Sequence, residues 1–151
     1  MAGTRQEKQS VLCICTFNSV RSQMAEGLIR NMYGDRFAVV SAGIATAGVN
    51  PYAVRVMAEI GINISGHRSR NVKEFSSYSF DYVLFLCDHA RRACPSQFSA
   101  GKMFHRDFLS PCEVRDNEEL ILRDFRELRD DIQSWLIDIF GPASHPEPEK
   151  T

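Results

Sequence analysis

Residues 10–22 read SVLCICTFNSVRS, and the succession of residue types in this stretch decides the fold. The apolar run over residues 10–15 has the length of a buried strand, and Ala25, Leu28, Ile29 and Met32 then recur on one helical face. Strand, tight loop and helix in that order open an α/β unit. A second strand is expected over residues 37–41, closed by Ala42 and Gly43. Asn50 followed by Pro51 offers a helix cap with proline at the first helical position, and that helix should run to about Ile60, where Gly61 ends it.

Residues 81–87, DYVLFLC, lack polar alternation, as suits a central strand covered on both faces of a parallel sheet. A short strand is expected near residues 102–105. Phe125, Leu128, Ile132, Trp135 and Ile139 then follow at helical spacing, with Asp116 and Glu119 placed as a cap and third-position pair. Strands alternating with helices imply an α/β domain with a mostly parallel sheet, whose ligands bind at the carboxyl ends of the strands. We expect one domain over residues 1–141 and a frayed tail over residues 142–151, which carries three prolines.

The 151 residues suffice for one core, and 18 basic against 19 acidic residues leave a net charge of −1. Such a balance gives no general field for nucleic acid or acidic lipid, so neither is an expected partner. No signal-peptide core or membrane-length apolar run is visible, and a reducing cytoplasm is the expected compartment. Five cysteines, Cys13, Cys15, Cys87, Cys94 and Cys112, then point to chemistry or metal rather than structural disulfides. Zinc binding by Cys87, His89, Cys94 and His105 is one reading, although their spacing matches no common zinc pattern.

The segment from Cys15 to Ser22 suits a tetrahedral oxyanion. Backbone N–H groups of Thr16, Phe17, Asn18, Ser19, Val20, Arg21 and Ser22 can face one point, where the start of the helix adds favourable potential. Arg21 can grip two oxygens through its fork, and Asn18 tolerates the left-handed backbone that such a loop needs. In this field the Cys15 thiolate becomes a nucleophile aimed at the central atom of the anion. Cys13, inside the strand, reads as inert core.

These residues resemble a known group. CTFNSVRSQMAEG, with SAG at residues 41–43, looks like the low-molecular-weight protein tyrosine phosphatase superfamily, and more narrowly its thioredoxin-coupled arsenate reductase branch. The similarity runs from Val11 to about Phe140 and implies a three-layer α/β/α fold with a four-stranded parallel sheet. LCDHARRACP at residues 86–95 and FRELRDDI at residues 125–132 also resemble the reductase branch. By that resemblance Cys15 attacks arsenate, Cys87 attacks Cys15 with release of arsenite, and Cys94 closes a disulfide with Cys87 that thioredoxin reduces. Residues 88–93 should then move or partly unfold, with Arg91 and Arg92 on an exposed turn. No cofactor is implied, and a monomer is expected.

Two departures from the family pattern stand out. The usual aspartate-proline pair that supplies the general acid is here Ser110-Pro111, which leaves Asp107 as the candidate acid and weakens the alternative of aryl phosphate hydrolysis. Cys112 beside it reads as incidental. Arg70 stands near where potassium-binding reductases carry an acidic residue. We therefore expect Asn18, Ser22, Ser41 and His67 to be joined by hydrogen bonds that support the loop, with no potassium site. Phe17, Phe104 and Phe108 are candidates for the pocket mouth. A third reading, an oxyanion-binding or redox-signalling module without turnover, follows if the missing acid abolishes catalysis.

Overall fold

The computed structural model describes residues 7–94, 99–111, 113 and 117–143. Among them β1 (Gln9–Cys15), β2 (Phe37–Gly43), β3 (Ser79–Phe85) and β4 (Ser99–His105) form one sheet in the order β2-β1-β3-β4, with every pairing parallel. The fold is α/β, as expected. Val11 to Cys15 of β1 are all buried, because this strand lies between two others and under helices on its faces.

Helix α1 (Arg21–Tyr33) returns the chain from β1 to β2 and buries Ala25, Leu28, Ile29 and Met32. Helix α2 (Pro51–Ala58) is capped by Asn50, whose side chain accepts from the amides of Tyr52 and Ala53. It is followed by a turn at Gly61, whose φ of 80° is left-handed. Helix α3 (Asp88–Ala93) is short, and α4 (Glu118–Phe140) packs against α1 and α2 with Phe125, Leu128, Ile132 and Trp135 buried. Buried Arg129 of α4 donates to the Val56 carbonyl and pairs with Glu59, fastening α4 to the end of α2.

Several element ends differ from the sequence reading. β3 stops at Phe85, so Cys87 lies beyond the strand and becomes the N-cap of α3. Arg91 and Arg92, expected on an exposed turn, lie instead in the last turn of helix α3, where both are exposed and pair with Asp88. The cap of α4 is Asn117, whose side chain accepts from Glu119 N at 2.8 Å; the expected cap Asp116 lies outside the described residues. Cys112 and residues 144–151 of the expected tail also lie outside them.

Candidate active site

The carboxyl ends of β1 and β3 are adjacent, since Leu86 N donates to Ile14 O at 2.9 Å. Two loops therefore open side by side, one after Cys15 and one carrying Cys87. In the first, six consecutive carbonyls are committed outward. Cys15 O accepts from Ile44 N, Thr16 O from Ala45 N, Ser19 O from Asn50 N and Val20 O from Met24 N. Phe17 O accepts from the Ser69 hydroxyl and Asn18 O from Gln23 Nε2. With its acceptors bound elsewhere, the loop's concave side is left to N–H groups. No side chain caps α1 at Val20, so that helix start is also open to an anion.

Asn18 is the hub of this loop. It is fully buried with φ 51°, the left-handed value expected of it. Its amide nitrogen donates to Ser22 Oγ at 2.7 Å and Ser41 Oγ at 2.9 Å, while its oxygen accepts from Arg70 N at 2.7 Å. Ser22 Oγ in turn lies 2.9 Å from Cys15 Sγ. Because Ser22 already accepts from Asn18, its own hydrogen is free to be donated to the sulfur. Gly43 lets β2 approach closely: a Cβ there would stand 2.7 Å from Asn18 N and 2.8 Å from the Phe17 carbonyl carbon.

His67 joins the network differently from the expectation. It has no direct bond to Asn18, Ser22 or Ser41, but is linked to Asn18 and Ser41 through three residues of α1. His67 Nδ1 donates to Gln23 Oε1 at 2.9 Å, and Gln23 Nε2 donates to Asn18 O. Its Nε2 faces Arg30 NH1 at 2.9 Å, and since a guanidinium can only donate, this nitrogen is the unprotonated acceptor. Burial, with Arg30 and Arg70 nearby, holds the His67 pKa below the usual histidine value against the opposing charge of Glu26. Glu26 accepts from Ser41 Oγ and from Arg30, each at 2.6 Å, so the buried carboxylate is satisfied on both oxygens.

Gln23, Glu26 and Arg30 were not singled out in the sequence. Their spacing, three and then four residues apart, which puts three polar side chains on one face of α1, was the available sign.

Arg21 NH1 donates to Phe108 O at 2.8 Å, which ties the guanidinium to the segment after β4. Cys87 is buried, and its sulfur lies 3.3 Å from Thr16 Oγ1, the hydroxyl beside Cys15. Cys94 sits half-buried at the other end of α3, where burial pushes its thiol pKa up. Cys13 is fully buried, and burial together with the nearby Glu26 charge raises its pKa well above the usual thiol range, consistent with an inert core thiol. Asp107 is exposed, and its carboxylate accepts from Asp88 N at 2.9 Å. Ser110 is exposed as well. Phe17 of the loop is exposed, Phe108 is buried against Trp135, and Phe104 stacks on Tyr82.

A cysteine closing a parallel strand, a turn whose carbonyls are bonded elsewhere and an arginine opening a helix form an arrangement suited to an oxyanion beside a thiol. The chain belongs to the low molecular weight phosphotyrosine protein phosphatase family, whose pattern matches residues 10–142. It is 41% identical over 125 residues to an arsenate reductase of Halalkalibacterium halodurans, covering 83% of this chain and 90% of that one. It resembles a solved arsenate reductase in its phosphate-binding state with TM-score 0.74 and 28% identity, over 87% of this chain and 95% of that one. A low molecular weight protein tyrosine phosphatase from T. tengcongensis matches with TM-score 0.68 and 27% identity, over 87% and 96%. Among the described residues no helix is long and apolar enough to cross a membrane.

Proposed function

We propose that this protein is an arsenate reductase that works through Cys15, Cys87 and Cys94. Arsenate binds in the loop from Thr16 to Ser22 with Arg21 gripping its oxygens. The Cys15 thiolate displaces one oxygen, which leaves as water, and forms a sulfur–arsenic bond. Cys87 then attacks the Cys15 sulfur; the sulfur–sulfur bond forms as the sulfur–arsenic bond breaks, its electron pair stays on arsenic, and arsenite departs. Cys94 attacks Cys87, which frees Cys15 and leaves a disulfide between Cys87 and Cys94. Two thiols are thus oxidised for each arsenate reduced, and a thioredoxin-type dithiol restores them in a reducing compartment.

The observation that carries this reading is the contact of Cys87 Sγ with Thr16 Oγ1 at 3.3 Å, since it joins a second buried thiol to the residue that follows Cys15. The reading fits the reductase relatives and the serine at position 110, since arsenic–oxygen bonds exchange readily with water and ester cleavage depends more on an acid.

The last step needs motion. Cys87 and Cys94 cap opposite ends of α3, and seven residues of helical rise separate their Cα atoms by about 10 Å. A disulfide requires roughly 4.4–6.8 Å, so α3 must unwind for the bond to close.

The test is thiol counting and peptide mapping after arsenate treatment. Loss of two thiols with a Cys87–Cys94 link is expected; an unchanged count would remove the reductase reading. Turnover of p-nitrophenyl phosphate that vanishes in Cys15→Ser yet survives in Cys87→Ser would then favour a phosphatase. Phosphate protection against heating without any turnover would favour a binding module.

A further inference from the structure

We propose that Asp107 is a positioning residue for the redox helix: with Asp88 it latches α3 in its helical form and so sets how fast Cys94 reaches Cys87. The proposal rests on the disulfide cascade above.

A six-residue helix is far below the roughly 12–15 residues at which isolated helices become even marginal, so contacts from outside must hold α3. Its own N-cap residue, Cys87, supplies no capping side-chain bond. The acceptor comes instead from the segment after β4, where Asp107 Oδ1 takes the Asp88 amide at 2.9 Å. This carboxylate is set in place by backbone bonds on either side: Arg106 N donates to Phe85 O and Phe108 N to Leu86 O, both at 3.0 Å. The same segment holds Arg21 through Phe108 O, so it touches both the anion grip and the redox helix.

Asp88 completes the latch from within. Its carboxylate meets Arg91 at 3.0 Å and Arg92 at 2.9 Å, with His105 Nε2 from β4 at 3.9 Å. Pairs three and four residues apart exist only while the helix is wound, and acidic charge at its start suits the helix dipole. Cys94 can approach Cys87 only after these contacts open. Asp107, which sequence alone offered as the acid, thus has a second and more direct task.

Asp107→Ala and Asp107→Asn separate the roles, because asparagine keeps an acceptor oxygen for the Asp88 amide but cannot transfer a proton as a carboxyl does. Two readouts apply: amide hydrogen exchange across α3 in the reduced protein, and the single-turnover rate of Cys87–Cys94 disulfide formation after arsenate is added. Loss of a helix cap typically corresponds to about a fivefold change in equilibrium. Asp107→Ala should therefore speed both readouts about fivefold, and Asp107→Asn should stay within about threefold of wild type. Unchanged exchange in Asp107→Ala would overturn the latch. Equal slowing of thiol loss in both variants, the mark of a proton donor, would overturn the claim that the latch sets the rate of disulfide formation. Failure of the wild type to form the disulfide would bring down the cascade, while amide exchange judges the latch on its own.

Discussion

Ser22 Oγ lies 2.9 Å from Cys15 Sγ and 2.7 Å from the side-chain amide nitrogen of Asn18, so one hydroxyl receives a bond from the loop's hub and can donate its own hydrogen to the Cys15 sulfur. Hydrogen bonds to charged groups contribute about 1.5–3 kcal/mol, so Ser22→Ala should slow the first thiol–arsenate step by about 10- to 100-fold. Rapid-quench single-turnover assays measure this. An unchanged rate would show that the serine is only a spacer.

Asn18 carries a left-handed backbone and four hydrogen-bond partners, and two substitutions separate these roles. Asn18→Gly keeps the backbone and loses the side-chain bonds; Asn18→Ala loses both. Unsatisfied buried partners cost about 1–3 kcal/mol, so both variants should unfold at lower urea, the alanine variant more so by roughly 1 kcal/mol. Equal midpoints would show that φ at this position costs nothing.

Gly43 stands where a side chain would meet backbone rather than a flexible tip. Gly43→Ala should destabilise the fold by about 1–3 kcal/mol and push the loop outward, which weakens oxyanion binding. Phosphate should then raise the melting temperature less than it does for wild type.

His67 predicts an acid limb in stability. Its folded pKa is lowered, chiefly by burial, so between that value and the usual 6.5 the unfolded chain binds more protons. Stability from this group is fully present above about pH 6.5 and is lost as pH falls through the folded value. His67→Asn should flatten that part of a urea-unfolding profile measured from pH 7.5 to 5. A profile with the same slope in both proteins would remove histidine as the cause.

Cys94→Ser should stop the proposed cascade one step short. Arsenate treatment should then leave a Cys15–Cys87 disulfide visible by peptide mapping, with a single turnover and no catalytic cycle. Continued multiple turnover would assign the resolving role elsewhere.

Much of this protein is local, and local features were legible. The strand ending in Cys15, the left-handed Asn18, the Asn50–Pro51 helix start and the spacing of the α4 core residues all depend on neighbours within about one turn or one strand. Side-chain periodicity and backbone preference act over that range, so composition and spacing carry them. Even there, placing the α4 cap at Asp116 rather than Asn117 marks the one-residue precision that pattern lacks.

Tertiary structure alone decided what joins the loops. His67 meets Gln23 across 44 residues of chain, Arg21 meets Phe108 across 87, and Asp107 reaches the amide of Asp88 from a different strand end. No pattern within either partner's segment encodes such meetings; they arise because parallel strands bring their carboxyl ends to one edge of the sheet. Cys15 and the loop that follows it were therefore written in one short stretch, whereas the polar supports and the contact of Asp107 with the start of α3 exist only after the strands align.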